Sequence, residues 1–149
     1  MKKVQQPSSA KMIMAELDPG GYHIFVNLKV NGKKCRFLID TGASKSVIDK
    51  VYYDKHLNKK KLKKIQQETT GLHSSVSETH IGTIKEIDLG KSKIKNYPVA
   101  AIDLSHVNNT YKKLRQPKIQ GILGSDLMYK YRMVIDYGKE KIFLFNPKD

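Results

Sequence analysis

Alternation of apolar and polar residues between positions 24 and 40 constrains the fold of this 149-residue chain more than any other feature. Each half of the stretch has one apolar face, formed by Ile24, Val26, Leu28 and Val30 and then by Cys35, Phe37 and Ile39. Asn31-Gly32 lies between the halves, and this dipeptide is the strongest two-residue signal for a β-hairpin. The pattern predicts two half-buried antiparallel strands, the second of which runs into Asp40.

The rest of the chain repeats short apolar segments separated by turn residues. We expect strands over residues 65–70, 76–89, 97–104 and 119–124, and a closing hairpin of residues 133–136 and 141–145. Residues 49–57 are expected to form a short helix, residues 105–117 a polar loop, and Ser125 to cap a second helix that runs to Tyr131. Many short strands with little helix predict an all-β barrel or sandwich.

Length and composition indicate one domain, because domains usually span roughly 100–150 residues. The polar residues 1–11 are expected to form a flexible leader, and residues 12–149 the domain. No stretch approaches the roughly 20 apolar residues of a membrane helix, and no apolar signal segment follows Lys3. The single cysteine, Cys35, excludes an internal disulfide and lies in an apolar strand pattern, so we expect a buried thiol. Together these features predict a cytoplasmic protein without membrane contact.

The chain is strongly basic, with 28 Lys and Arg residues against 14 Asp and Glu and a formal net charge of +14. Such an excess attracts polyanions and allows nucleic-acid binding. The lysine-rich run of residues 59–64 has no interleaved aromatic residue, and arginine, the usual base reader, is rare. A solvated lysine surface therefore fits better than a nucleic-acid interface. The five histidines lack metal-binding spacing, so we predict no metal and no cofactor.

Candidate chemistry lies in residues 37–44, Phe-Leu-Ile-Asp-Thr-Gly-Ala-Ser. Three apolar residues lead a strand into the carboxylate of Asp40, and a hydroxyl residue, Thr41, follows it. Gly42 allows a tight backbone turn that aims the acid into a cleft. A plain surface β-turn uses the same residue types, so the tripeptide alone is weak evidence.

A second segment, Ile119–Leu127, follows about 80 residues later and reads Ile-Gln-Gly-Ile-Leu-Gly-Ser-Asp-Leu. In order and spacing, the two segments resemble those of retropepsin-like aspartic proteases, and the resemblance covers roughly residues 15–146. It implies an acid-protease barrel with a flap hairpin and one short C-terminal helix, active as a homodimer. The stretch around Gly71 resembles the flap that closes over the substrate.

The resemblance also implies a mechanism in which two aspartates activate one water molecule. Asp40 is followed by Thr41 and Gly42, which match the family's catalytic tripeptide, and no other acid of the chain has this context. Asp136 is the least implausible internal partner, yet its position in a terminal hairpin favours a plain turn. The second catalytic acid is therefore expected from another copy of the chain.

Substrate contacts are expected at residues that match the family's cleft and flap, namely Ala43, Ser44, Gly71, Leu72, His73 and Ile122. An extended peptide or protein segment would bind there as an added strand. Ala43 stands where pepsin-like enzymes carry a hydroxyl group, so we expect a mild optimum between about pH 5 and 7. Ser44 replaces an aspartate common in viral members.

Two other functions stay open at the level of sequence. A dimer could keep the fold and bind peptides with little catalysis, because family membership argues for a fold more directly than for an activity. A basic β-domain could instead bind nucleic acid.

Overall fold

The computed structural model describes residues 7–57, 63–65 and 79–148. Its strands are β1 (Ser8–Asp18), β2 (Gly21–Val30), β3 (Lys33–Ile39), β4 (Val47–Asp49), β5 (Lys63–Ile65), β6 (Thr79–Leu89), β7 (Ser92–Ile102), β8 (Gly121–Leu123), β9 (Val134–Asp136) and β10 (Lys141–Leu144). Its helices are α1 (Lys50–His56), α2 (Ser105–Lys113) and α3 (Ser125–Lys130). None of these helices is long and apolar enough to cross a membrane.

Six strands close into a barrel in the order β6-β7-β4-β8-β3-β2, because β2 also pairs with β6. The remaining strands extend this ring, with β1, β10 and β9 continuing from β2 and β5 pairing with β6. Most pairs are antiparallel, but β3–β8 and β4–β7 are parallel. The all-β prediction is confirmed, and the closed ring decides for a barrel.

The hairpin predicted from the alternation joins β2 to β3. Asn31 and Gly32 both have positive φ angles, 48° and 83°, as the two-residue turn of a right-twisted hairpin requires. Val30 pairs with Lys33 across it. The apolar face of both strands is buried inside the barrel, together with Cys35, whose side chain is 1% exposed.

A second apolar cluster lies on the outer face of the barrel under α2. It contains Phe25, Leu104, Tyr111 and Ile119, which are buried. The polar loop predicted for residues 105–117 is therefore wrong over Ser105–Lys113. Leu104, Val107 and Tyr111 recur at helical spacing and pack on the sheet, although the residues between them are polar.

Several other boundaries differ from the sequence prediction. β1 begins at Ser8, within the segment expected to be a flexible leader, because Ser8–Lys11 pair with β10. β7 begins at Ser92 rather than at residue 97. Gly124, not Ser125, is the N-cap of α3, and no side chain caps that helix. The helix at residues 49–57 and the closing hairpin are confirmed.

Candidate active site

Residues 40–46 join β3 to β4 and form the Asp40 turn, which presents Asp40 at the end of β3. The Asp40 amide donates to the Leu123 carbonyl at 3.0 Å, which continues the β3–β8 pairing by one residue. The Gly42 amide donates to Asp40 Oδ1 at 2.9 Å, and the Ala43 amide to the Asp40 carbonyl at 3.1 Å. The carboxylate is half-buried, whereas Thr41 and Gly42 are exposed. The turn thus orients one acid at the surface and leaves its two following residues free to contact another molecule.

Gly124 and Ser125, at the junction of β8 and α3, contact the backbone of this turn. The Ser125 amide donates to the Ala43 carbonyl at 2.7 Å. Gly124 lies so close to the turn that a Cβ atom would stand 2.7 Å from the Lys45 carbonyl carbon and 2.8 Å from the Ala43 carbonyl oxygen. The two motifs found in the sequence therefore meet in space, and glycine is required at the contact.

A second carboxylate, that of Asp126, fixes the far end of the turn. Ser46 Oγ donates to Asp126 Oδ1 at 2.8 Å, and the Tyr97 hydroxyl donates to Asp126 Oδ2 at 2.9 Å. Ser46 Oγ in turn accepts from the Gly124 amide at 3.0 Å. The pKa of Tyr97 is raised, first by burial and then by its hydrogen bond to Asp126. Both oxygens of Asp126 thus serve as acceptors within the scaffold.

Sequence reasoning did not assign a role to Asp126, Ser46 or Tyr97. Asp126 was quoted within the second motif, and an acid after Gly-Ser at the start of a helix was the available signal. Ser46 is 1% exposed, but nothing in its neighbours distinguishes it from the exposed Ser44.

In the outer apolar cluster, α2 contributes the buried Tyr111. Its hydroxyl lies 2.9 Å from His23 Nδ1, and its ring packs edge-on against Phe25. Burial raises the pKa of Tyr111, the Arg36 cation opposes this rise, and the charge of Asp40 adds to it. The helix that replaces the expected loop therefore carries a buried phenol whose pKa responds to the charges of Arg36 and Asp40.

The residues predicted to contact substrate lie in different surroundings. Within the Asp40 turn, Ser44 is exposed and Ala43 is half-buried. Ile122 is half-buried in β8, where it pairs with Leu38 and Val47. Gly71, Leu72 and His73 lie outside the described residues, as does most of the predicted strand 65–70.

A family model described as aspartyl protease matches residues 26–127, more than half of the chain. The chain belongs to the aspartyl protease family. The match includes the Asp40 turn and ends just after Asp126, so it spans both motifs.

Solved structures place the protease among retropepsin-like folds, as the sequence resemblance predicted. A retropepsin-like aspartic protease from Rickettsia conorii is 22% identical with a TM-score of 0.57, over 95% of this chain and 96% of that one. The retroviral protease-like domain of Ddi1 from Leishmania major is 17% identical with a TM-score of 0.54, over 80% of this chain and 86% of that one. No curated protein matches the sequence.

Within the described part of the protease, no group of three or more His, Cys, Asp or Glu side chains could hold a metal ion. Asp136, considered above as an internal partner for Asp40, accepts a hydrogen bond at 2.9 Å from the Lys139 amide. That contact is an ordinary turn closure within the β9–β10 hairpin.

Proposed function

We propose that this protease is an endopeptidase that becomes active as a homodimer, with one Asp40 from each copy. The observation that carries the proposal is the Asp40 turn, which is held rigidly by the scaffold yet offers one carboxylate and an exposed Thr41 at the surface. A two-fold axis beside Asp40 would supply the second acid, and two-fold dimers are the commonest assembly of soluble oligomers.

The chemistry follows from two carboxylates that share one water molecule. One Asp40 takes a proton from the water, which attacks the carbonyl carbon of the scissile peptide bond, while the other donates a proton to the carbonyl oxygen. Two carboxyl groups about 3 Å apart cannot both ionise easily, so the pair titrates in two separate steps; aspartic proteases are the standard example of this behaviour. Gly42, whose amide donates to Asp40, orients the acid.

A surface next to Thr41 supports the dimer. A recess of about 580 Å³ extends from Thr41 along α3 to β9 and is lined in part by Met128, Tyr129 and Met133. The Tyr129 side chain is 72% exposed, and β9 forms one end of the sheet order. Among the described strands β9 has a neighbour on one side only, and such an edge beside exposed apolar side chains suits pairing with a second copy.

The substrate is proposed to be an extended peptide that crosses the Asp40 turn. Ala43 and Ser44 would contact its backbone, and Ile122 would lie near its side chains. The family resemblance assigns Gly71, Leu72 and His73 to a flap above it, and this assignment stays a prediction.

The proposal is tested with a peptide-library digest across pH on the wild type, Asp40→Asn and Asp136→Asn. We expect Asp40→Asn to lower kcat/KM by at least about a hundredfold, the usual contribution of acid–base catalysis. Asp136→Asn is the matched control, since its side chain closes a turn, and its activity should stay close to that of the wild type. Undiminished cleavage by Asp40→Asn would contradict the mechanism.

A further inference from the structure

A cavity of about 540 Å³ lies against the C-terminal half of the Asp40 turn. Ser44, Lys45 and Ser46 form its wall on the side of the turn, and residues of β7 and α3 form the other walls. Ser44 comes only four residues after Asp40, so the cavity adjoins the turn that the proposed peptide substrate crosses.

The floor of the cavity is apolar and partly uncovered. Ile81 on β6 and Ile102 on β7 are 41% and 42% exposed. Ile81 pairs with Ala100 in the register, and Ile102 follows Ala100 by two positions, so the three side chains share one face of the β6–β7 pair. Exposed isoleucines that adjoin a cavity favour the binding of an apolar group.

The rim of the cavity is cationic. Lys45 and Lys130 both line it and are exposed, and neither forms a salt bridge with a residue that the structure describes. The acid in the lining, Asp126, already accepts hydrogen bonds from Ser46 and Tyr97. Lys130 Nζ lies 5.8 Å from the centre of the Tyr97 ring, a contact with the face of the ring that leaves its N–H groups available. Both ammonium groups can therefore pair with a carboxylate that arrives with a ligand.

We propose that this cavity selects substrates in which an apolar residue is followed or preceded, two positions away, by Asp or Glu. In an extended peptide, side chains two positions apart point to the same side. The apolar side chain would occupy the floor, and the acidic side chain would reach Lys45 and Lys130 at the rim. The inference rests on the proposed peptidase function and makes these lysines its specificity determinants.

The test measures kcat/KM for two peptides that are identical except for Glu or Gln at the position two residues from the apolar one. Both are assayed with the wild type, Lys45→Glu, Lys130→Glu and Lys91→Glu. Lys91 is a matched control, because it is an exposed lysine that lines a separate recess with Lys29 and Lys34. We expect the wild type to prefer the Glu peptide by about three- to fivefold in kcat/KM, the size of an exposed ion pair. The preference should vanish or invert in the two rim variants, persist in Lys91→Glu, and shrink in 1 M salt.

Equal cleavage of the two peptides by the wild type, or an unchanged preference in both rim variants, would overturn the inference. Binding of fluorescently labelled forms of the same peptides to Asp40→Asn protein, followed by anisotropy, separates this result from a failure of the peptidase proposal. If the wild type cleaves neither peptide, the inference is still supported when Asp40→Asn protein binds the Glu peptide more tightly than the Gln peptide. Adding Lys45→Glu to that protein should abolish this difference in affinity. Equal binding of both peptides then rejects it.

Discussion

At the level of single residues, the Asp40 turn depends on a second carboxylate, that of Asp126. Asp126 accepts hydrogen bonds from Ser46, at the end of the turn, and from Tyr97 on β7. Tyr97 is 7% exposed, so the network lies largely out of water. Asp126 itself is half-buried, and a carboxylate in such a position loses stabilisation when one of its donors is removed.

Tyr97→Phe should therefore lower the free energy of unfolding by about 2 kcal/mol, because it leaves Asp126 Oδ2 without its donor. Chemical denaturation at neutral pH measures this loss. Tyr22→Phe is the control, since the Tyr22 hydroxyl also donates to a carboxylate, that of Glu16, but in an exposed position. Its loss should be much smaller, and equal losses in the two variants would refute the role given to burial.

The same hydrogen bond sets the direction in which stability changes with pH. Folding raises the pKa of Tyr97, so the hydroxyl makes its full contribution to the free energy of unfolding below the unfolded pKa of about 10. As the pH rises above that value, unfolding releases a proton and the contribution declines. The difference in stability between the wild type and Tyr97→Phe should accordingly narrow in alkaline solution, and a widening gap would contradict the assignment.

At the level of elements, α2 and the segment before β8 are joined by a buried amide. Asn108 Nδ2 donates to the Ile119 carbonyl at 3.0 Å, and the Ile119 amide donates to Asn108 Oδ1 at 2.8 Å. This pair mimics a backbone ladder between a helix and an extended segment. It fixes the helix that carries Tyr111 next to the strand that supports Asp40.

Asn108→Ala should reduce the free energy of unfolding by about 2–4 kcal/mol, because two backbone groups lose their partner in a buried site. Asn109→Ala is the matched control, as the neighbouring asparagine is exposed on the same helix. Thermal or denaturant unfolding of the two variants measures the difference. A similar small loss of stability in both variants would mean that the Asn108 hydrogen bonds do not stabilise the packing of α2.

Local elements were predictable, and contacts between distant segments were not. The Asn31-Gly32 hairpin and the Asp40 turn depend on neighbouring residues, so the sequence pattern indicated both. The amphipathic helix α2 was missed because its three apolar positions are spaced among polar ones. The Ser46–Asp126 contact joins residues 80 positions apart. No local pattern reports which polar side chains meet after the barrel closes.

At the level of the whole molecule, activity and assembly should change together. Tyr129→Asp places a charge in the recess beside Thr41 and should weaken self-association by at least about tenfold, since charge is disfavoured in the centre of an interface. Sedimentation at several concentrations measures the association, and specific activity should fall in parallel and recover at high protein concentration. Val51→Asp, an exposed valine on α1, is the control. Activity that does not depend on concentration would argue against the dimer.

The pairing of β3 with β8 also has a consequence during synthesis of the chain. Asp40 is translated early, yet the backbone acceptor that holds it belongs to Leu123, and the acid that anchors its turn is Asp126. A nascent polypeptide still missing that later stretch on the ribosome lacks both of these partners of the turn. The Asp40 turn can therefore take its folded geometry only after translation has passed the second motif.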